Sequence, residues 1–153
     1  MKNKVVDFVN YRKFKLSEIQ LNLSENHWGV IVVQISDEIT DINKQLGTLR
    51  NTKNTILQNQ YHRLYGFKEL LINVSEKIEE WFFRRNKDEI RLTFEELSSL
   101  ISITESSLQK LVFIDREDTS EYRNLCYVYK ALLPVYNQNK SILENLNATK
   151  QDC

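Results

Sequence analysis

Three glycines and one proline in 153 residues leave this chain almost without the two residue types that turns depend on. Glycine supplies positive φ and proline presets φ, so tight turns, and the sheets they join, lean on both. A chain that nearly omits them must spend most of its length in long uninterrupted elements, which means helices. The expected fold is therefore mainly α: an antiparallel bundle of four or five helices with a coiled-coil-like hairpin. A small N-terminal β-hairpin is its main amendment.

Apolar spacing locates the elements. From Trp28 the apolar residues step by three and four through Ile31, Ile35, Ile39, Ile42, Leu46 and Leu49. The rhythm lapses over residues 50–55 and resumes at Ile56, passing Leu64, Phe67, Leu71, Val74 and Ile78 to Trp81. That is the stripe of an amphipathic helix. One helix over residues 28–82 would be about 80 Å long, too long for a compact domain of this size. A break near Gly47–Asn54 is the simpler reading and predicts an antiparallel hairpin, with one continuous rod as the alternative. Polar residues 84–89 set a second boundary, after which Thr93 and Glu96 have capping-box spacing. A third boundary falls at residues 114–118, where Asp118 and Glu121 repeat that spacing. Pro134 then predicts a kink or break in the last helix.

The N-terminal segment is ambiguous. Phe14, Leu16, Ile19, Leu21 and Leu23 partly alternate, and residues 30–35 are dense in β-branched side chains, as a strand would be. Ser36 followed by Asp37, Glu38 and Asp41 resembles a fresh helix start. Against strands, Leu16, Ile19, Leu23, Val30 and Val33 also fit a helical stripe. The chain reads as one domain over 1–153, with an ambiguous part over 1–35 and a helical core over 36–148.

Composition narrows function mainly by exclusion. Twenty-one Lys and Arg balance 21 Asp and Glu, which argues against a strongly basic nucleic-acid clamp or an acidic mimic of one. Two cysteines make no disulfide framework, and Cys126 within an apolar run reads as a small buried hydrophobe. No apolar run approaches the length of a membrane span or signal peptide. The expected location is cytoplasmic, with no membrane partner. The residues three before His27 and His62 are Ser24 and Asn59, so the Glu-x-x-His pairs of di-iron bundles are missing. No Cys/His cluster has zinc spacing. Gly29, Gly47 and Gly66 stand apart, unlike the clustered glycines of a phosphate-binding loop. Neither a metal nor a cofactor is expected, and the reading leans away from an enzyme.

Charge order and aromatic placement say more. Residues 17–43 carry five acids and no Lys or Arg, whereas residues 44–68 carry five bases and no acid. The plain reading is complementarity across the hairpin. The functional one is a polyanion-facing strip in which Tyr61 and Tyr65 stack on bases. Further on, Trp81-Phe82-Phe83 cannot all face one core, because successive helical positions lie about 100° apart. At least one should be exposed, beside Arg84, Arg85 and Lys87. Trp and Arg dominate binding hot spots, so this site is either a helix end complementing its dipole or an interface anchor. Tyr122, Tyr129 and Tyr136 repeat every seven residues, as the edge of a packed face or as a partner surface.

The leading functional expectation is a non-enzymatic protein-interaction subunit or adaptor, an inhibitor-type partner or a homodimer, using Trp81, Phe83, Arg84, Arg85, Tyr122, Tyr129 and Tyr136. The alternative is a modest nucleic-acid-binding bundle using Arg50, Lys53, Tyr61, Arg63, Tyr65 and Lys87, with Arg84 and Arg85. An enzyme with a site assembled from scattered acids and tyrosines is the third reading, with no motif behind it.

Overall fold

A computed structural model describes residues 9–15, 17–84 and 89–151. Residues 9–15 are helical (α1). Strand β1 (Glu18–Leu21) follows, then helices α2 (Glu25–Leu49) and α3 (Thr55–Phe83). Strand β2 (Ile90–Thr93) leads into α4 (Phe94–Phe113), and α5 (Ser120–Gln151) comes last. The protein is a mainly α bundle, as its shortage of turn residues predicts, with a small antiparallel sheet.

The strand partner comes from far along the chain. β1 pairs with β2 in antiparallel register, Ile19 opposite Leu92 and Leu21 opposite Ile90. Period-two alternation then turns Leu21, Ile90 and Leu92 into the core, while Glu18, Gln20 and Arg91 face outward. The β-branched run at residues 30–35 is helical, part of α2. Ile31 and Ile35 are buried on one face there, and that burial outweighs a modest strand propensity.

Helix ends are set by local hydrogen bonds. α2 starts not at Ser36 but after Ser24, whose hydroxyl accepts from His27 N; Ser36 lies exposed in mid-helix. The expected break near Gly47–Asn54 is present, and Asn54 caps α3 by accepting from Ile56 N and Leu57 N. Thr93 and Glu96 form the full capping box. At α5 the capping hydroxyl belongs to Thr119, which accepts from Tyr122 N at 3.3 Å, one residue beyond the expected Asp118. The backbone carbonyl of Asp118 instead accepts from the Arg123 guanidinium. Pro134 does not break α5, which runs unbroken to Gln151.

The core unites α2, α3, both strands, α4 and α5 around Trp28, Ile31, Leu71, Val74, Ile78, Leu92, Leu97, Leu100 and Leu132. α2 and α3 run antiparallel, so Trp28 meets Trp81 with ring centroids 6.4 Å apart. α4 and α5 also run antiparallel: Phe94 stacks on Tyr136 at 5.5 Å, and Tyr129 reaches Glu105. The buried amide of Gln34 is partnered, its Oε1 accepting from the Ser107 hydroxyl at 2.5 Å.

The buried carboxylate of Glu96 joins three elements. It is 4% exposed, and its Oε1 accepts from Thr93 N at 2.9 Å and from Lys77 Nζ at 2.7 Å. Lys77 also lies 4.0 Å from Glu18 of β1. A carboxylate at a helix N-terminus, hydrogen-bonded and ion-paired, tolerates burial that an isolated one would not.

Candidate interaction surfaces

At the end of α3 the three consecutive aromatics separate as helical geometry requires. Trp81 is 5% exposed, Phe82 is 36% and Phe83 is 88%. Trp81 is held edge-on by Phe82 at 5.1 Å and tilted against Trp28. Arg84 donates to Glu80 Oε1 at 3.0 Å, four residues back, and its backbone N–H closes the helix on Trp81 O. Arg85 and Lys87 lie outside the described residues. Beside this end is a polar cleft of about 690 Å³ between α3 and the two strands, with Trp81 in its wall. Lys77, Arg84 and Arg91 line it together with Glu18, Glu80 and Glu89. With its amide oriented to suit both neighbours, Gln20 donates to Glu89 and accepts from Arg91. The cleft's described charges balance, so it offers an anion or a cation little net attraction.

A second surface lies at the end of α4, beside the boundary expected at residues 114–118. Val112 is 44% exposed, Phe113 88% and Ile114 53%. The signal was the same as for residues 81–83: three successive apolar positions cannot share one face. The turn that follows is a Schellman cap. Arg116 N donates to Leu111 O at 2.9 Å and Asp115 N to Val112 O at 3.1 Å. Asp115 takes the left-handed conformation this cap demands, with φ of 57°, a region aspartate enters more readily than most residues. Beyond it Glu117, Asp118 and Glu121 are exposed. The cap therefore fixes how an apolar knob and a run of acids are presented.

A third surface is the distal part of the α2–α3 hairpin. In α3 the fully buried residues are Leu71, Val74, Ile78 and Trp81. Residues 55–70 hold Tyr61, Leu64 and Phe67 half-buried, and leave Ile56 76% and Tyr65 47% exposed. Arg50, Lys53 and Arg63 are exposed. Tyr61 and Tyr65 stack on each other with centroids 6.4 Å apart. Arg63 is two residues from each, hence about 160–200° away around the helix. The residues expected to meet a polyanion therefore do not form one strip: two tyrosines share one side while Arg63 projects from the other. On the acidic arm, Asp41 lies 3.9 Å from Lys110 of α4, so at that position charge is answered from α4.

Two of the three tyrosines of the series, Tyr129 and Tyr136, are drawn toward α4. The Tyr129 hydroxyl donates to Glu105 Oε1 at 2.7 Å, and this bond to a carboxylate raises its pKa above the ordinary tyrosine value. Tyr136 packs on Phe94 and against the core. Tyr122 is half-buried near the start of α5, its pKa raised chiefly by a hydrogen bond with Cys126. Cys126 itself is half-buried rather than fully enclosed, because the buried stripe of α5 runs through Leu125, Val128 and Leu132.

Among the described residues, no three His, Cys, Asp or Glu side chains are grouped to hold a metal ion. No described helix is long and apolar enough to cross a membrane. No family model, curated protein or solved structure matches the chain.

Proposed function

We propose that this chain is a non-enzymatic protein-interaction subunit that meets another protein, or a second copy of itself, through aromatic side chains projecting from helix ends. The observation that carries the reading is the pair Phe83 and Phe113, each 88% exposed at the last position of its helix. A single exposed apolar residue needs no explanation. These two differ because each has apolar neighbours in sequence, Phe82 for one and Val112 and Ile114 for the other, that are themselves at least 36% exposed. Covering a phenylalanine is worth roughly 1.5–3 kcal/mol, enough for each to act as an anchor. The Arg84–Glu80 pair beside Phe83 supplies the polar rim that such anchors have.

The test is reconstitution from purified components, with any partner captured from a lysate first identified and then prepared alone. The Phe83→Ser, Phe113→Ser double variant should weaken binding about tenfold or more while keeping the wild-type melting temperature. Unchanged binding by that variant would overturn the reading. So would a captured species that proves to be nucleic acid, with affinity falling steeply as salt is added.

A further inference from the structure

We propose that two copies of this chain pair reciprocally, with the tip of the α2–α3 hairpin of each seated on the α4–α5 corner of the other. This inference rests on the protein-interaction reading and names its partner. The tip presents Ile56, 76% exposed, with exposed Arg50 and Lys53 beside it, in the stretch 44–68 that contains no acid. The corner presents Phe113 and Ile114, 88% and 53% exposed, followed by exposed Asp115, Glu117 and Asp118 against one base, Arg116. Each patch is an apolar knob bordered by net charge, positive at the tip and negative at the corner, where the acids outnumber Arg116.

Charge complementarity is the argument for this occupant. Opposed patches steer encounter and fix register, while the apolar centres supply the attraction. A nucleic acid could meet the bases of the tip but leaves the acidic corner and its aromatic unexplained. Because one chain carries both patches, a two-fold axis makes both junctions at once and closes the assembly as a dimer. The Schellman turn at Asp115 and the Asn54 cap behind the tip hold both patches in place before association, which lowers the entropy lost on binding.

A charge swap tests the proposal. At low ionic strength, light scattering during size-exclusion chromatography should give the wild type a mass of two chains, falling toward one as salt is added. The Arg50→Glu, Lys53→Glu variant opposes acid to acid at both junctions; the Glu117→Lys, Asp118→Lys variant opposes base to base. Each alone should weaken dimerisation about tenfold or more, with wild-type circular dichroism and melting temperature confirming the fold. Mixed in equal amounts they should recover the two-chain mass, since both junctions of the mixed dimer are again complementary. A wild type of one-chain mass at every concentration overturns the inference, as does either variant dimerising like the wild type. If such a monomer still binds a different purified protein through Phe83 and Phe113, the broader reading survives. If the wild type instead carries salt-labile nucleic acid, detected by its ultraviolet absorbance ratio, both fail.

Discussion

The two halves of α3 carry the same apolar spacing but differ in what surrounds them. From Leu71 to Trp81 the stripe is sealed: Leu71, Val74 and Ile78 are each 0% exposed, enclosed with residues of α2, the strands and α4 in one core. From Thr55 to Leu70 the stripe continues through Leu57, Tyr61, Leu64 and Phe67, and every one of them stays half-buried. Periodicity thus states which way a helix faces, not how deeply that face is covered. Depth depends on whether a third element arrives. Here Lys77 and Glu96 tie α3 to the start of α4, so the covered half is the one nearest that tie.

The largest test of this contrast is a pair of truncations. Ile78→Ala should cost about 2–5 kcal/mol, the range for emptying a packed core site. Leu64→Ala should cost about 1 kcal/mol, since much of what is removed was already in contact with water. Urea unfolding compares them directly, and equal costs would erase the distinction between the halves.

Next in size is the tie itself. Glu96→Ala removes a capping-box carboxylate and the closer of the two carboxylates beside Lys77, and should cost about 2–4 kcal/mol in the same assay. Lys15 and Glu95 form an ion pair at 3.5 Å with both side chains about half exposed, and Glu95→Ala should change stability by less than about 1 kcal/mol. Comparable losses at positions 95 and 96 would mean that the buried pair does not hold α4 to α3.

The smallest effect separates α5 from both halves of α3. The bond from Tyr129 to Glu105 favours the neutral phenol in the folded state and raises its pKa. Its contribution is fully present below the ordinary tyrosine value near 10 and is lost as pH rises through the higher folded value. Tyr129→Phe should therefore lower stability slightly at neutral pH and reduce the loss seen on going to alkaline pH. A variant with an unchanged alkaline limb would remove Tyr129 from the account.

Much of this architecture was legible because its causes are local. The hairpin break, the Thr93–Glu96 box and the exposure of at least one of Trp81, Phe82 and Phe83 follow from spacing, cap chemistry and the angle between successive helical residues. The pairing of Glu18–Leu21 with Ile90–Thr93 was not, because four-residue strands carry little signal and their partner lies across an entire helical hairpin. The strand propensity of residues 30–35 misled for a related reason, since burial of Ile31 and Ile35 is decided by tertiary packing. Glu96 could be read as a cap but not as the ligand of Lys77, 19 residues earlier. The exposure at the α4 corner follows from Val112-Phe113-Ile114 by the same angular argument as at residues 81–83. For the basic hairpin, charge counting located the patch and missed that Arg63 turns away from both tyrosines.

The central claim is that the distal hairpin is left half-covered in one chain, and the proposed dimer would cover its tip with a second. Hydrogen–deuterium exchange along α3, followed over a dilution series, tests it most directly. Amides of residues 71–79 should exchange slowly at every concentration, whereas those of residues 57–66 should exchange fast in dilute protein and slow as concentration rises. Residues 57–66 protected as strongly as 71–79 at the lowest concentration, or equally fast at the highest, would contradict it.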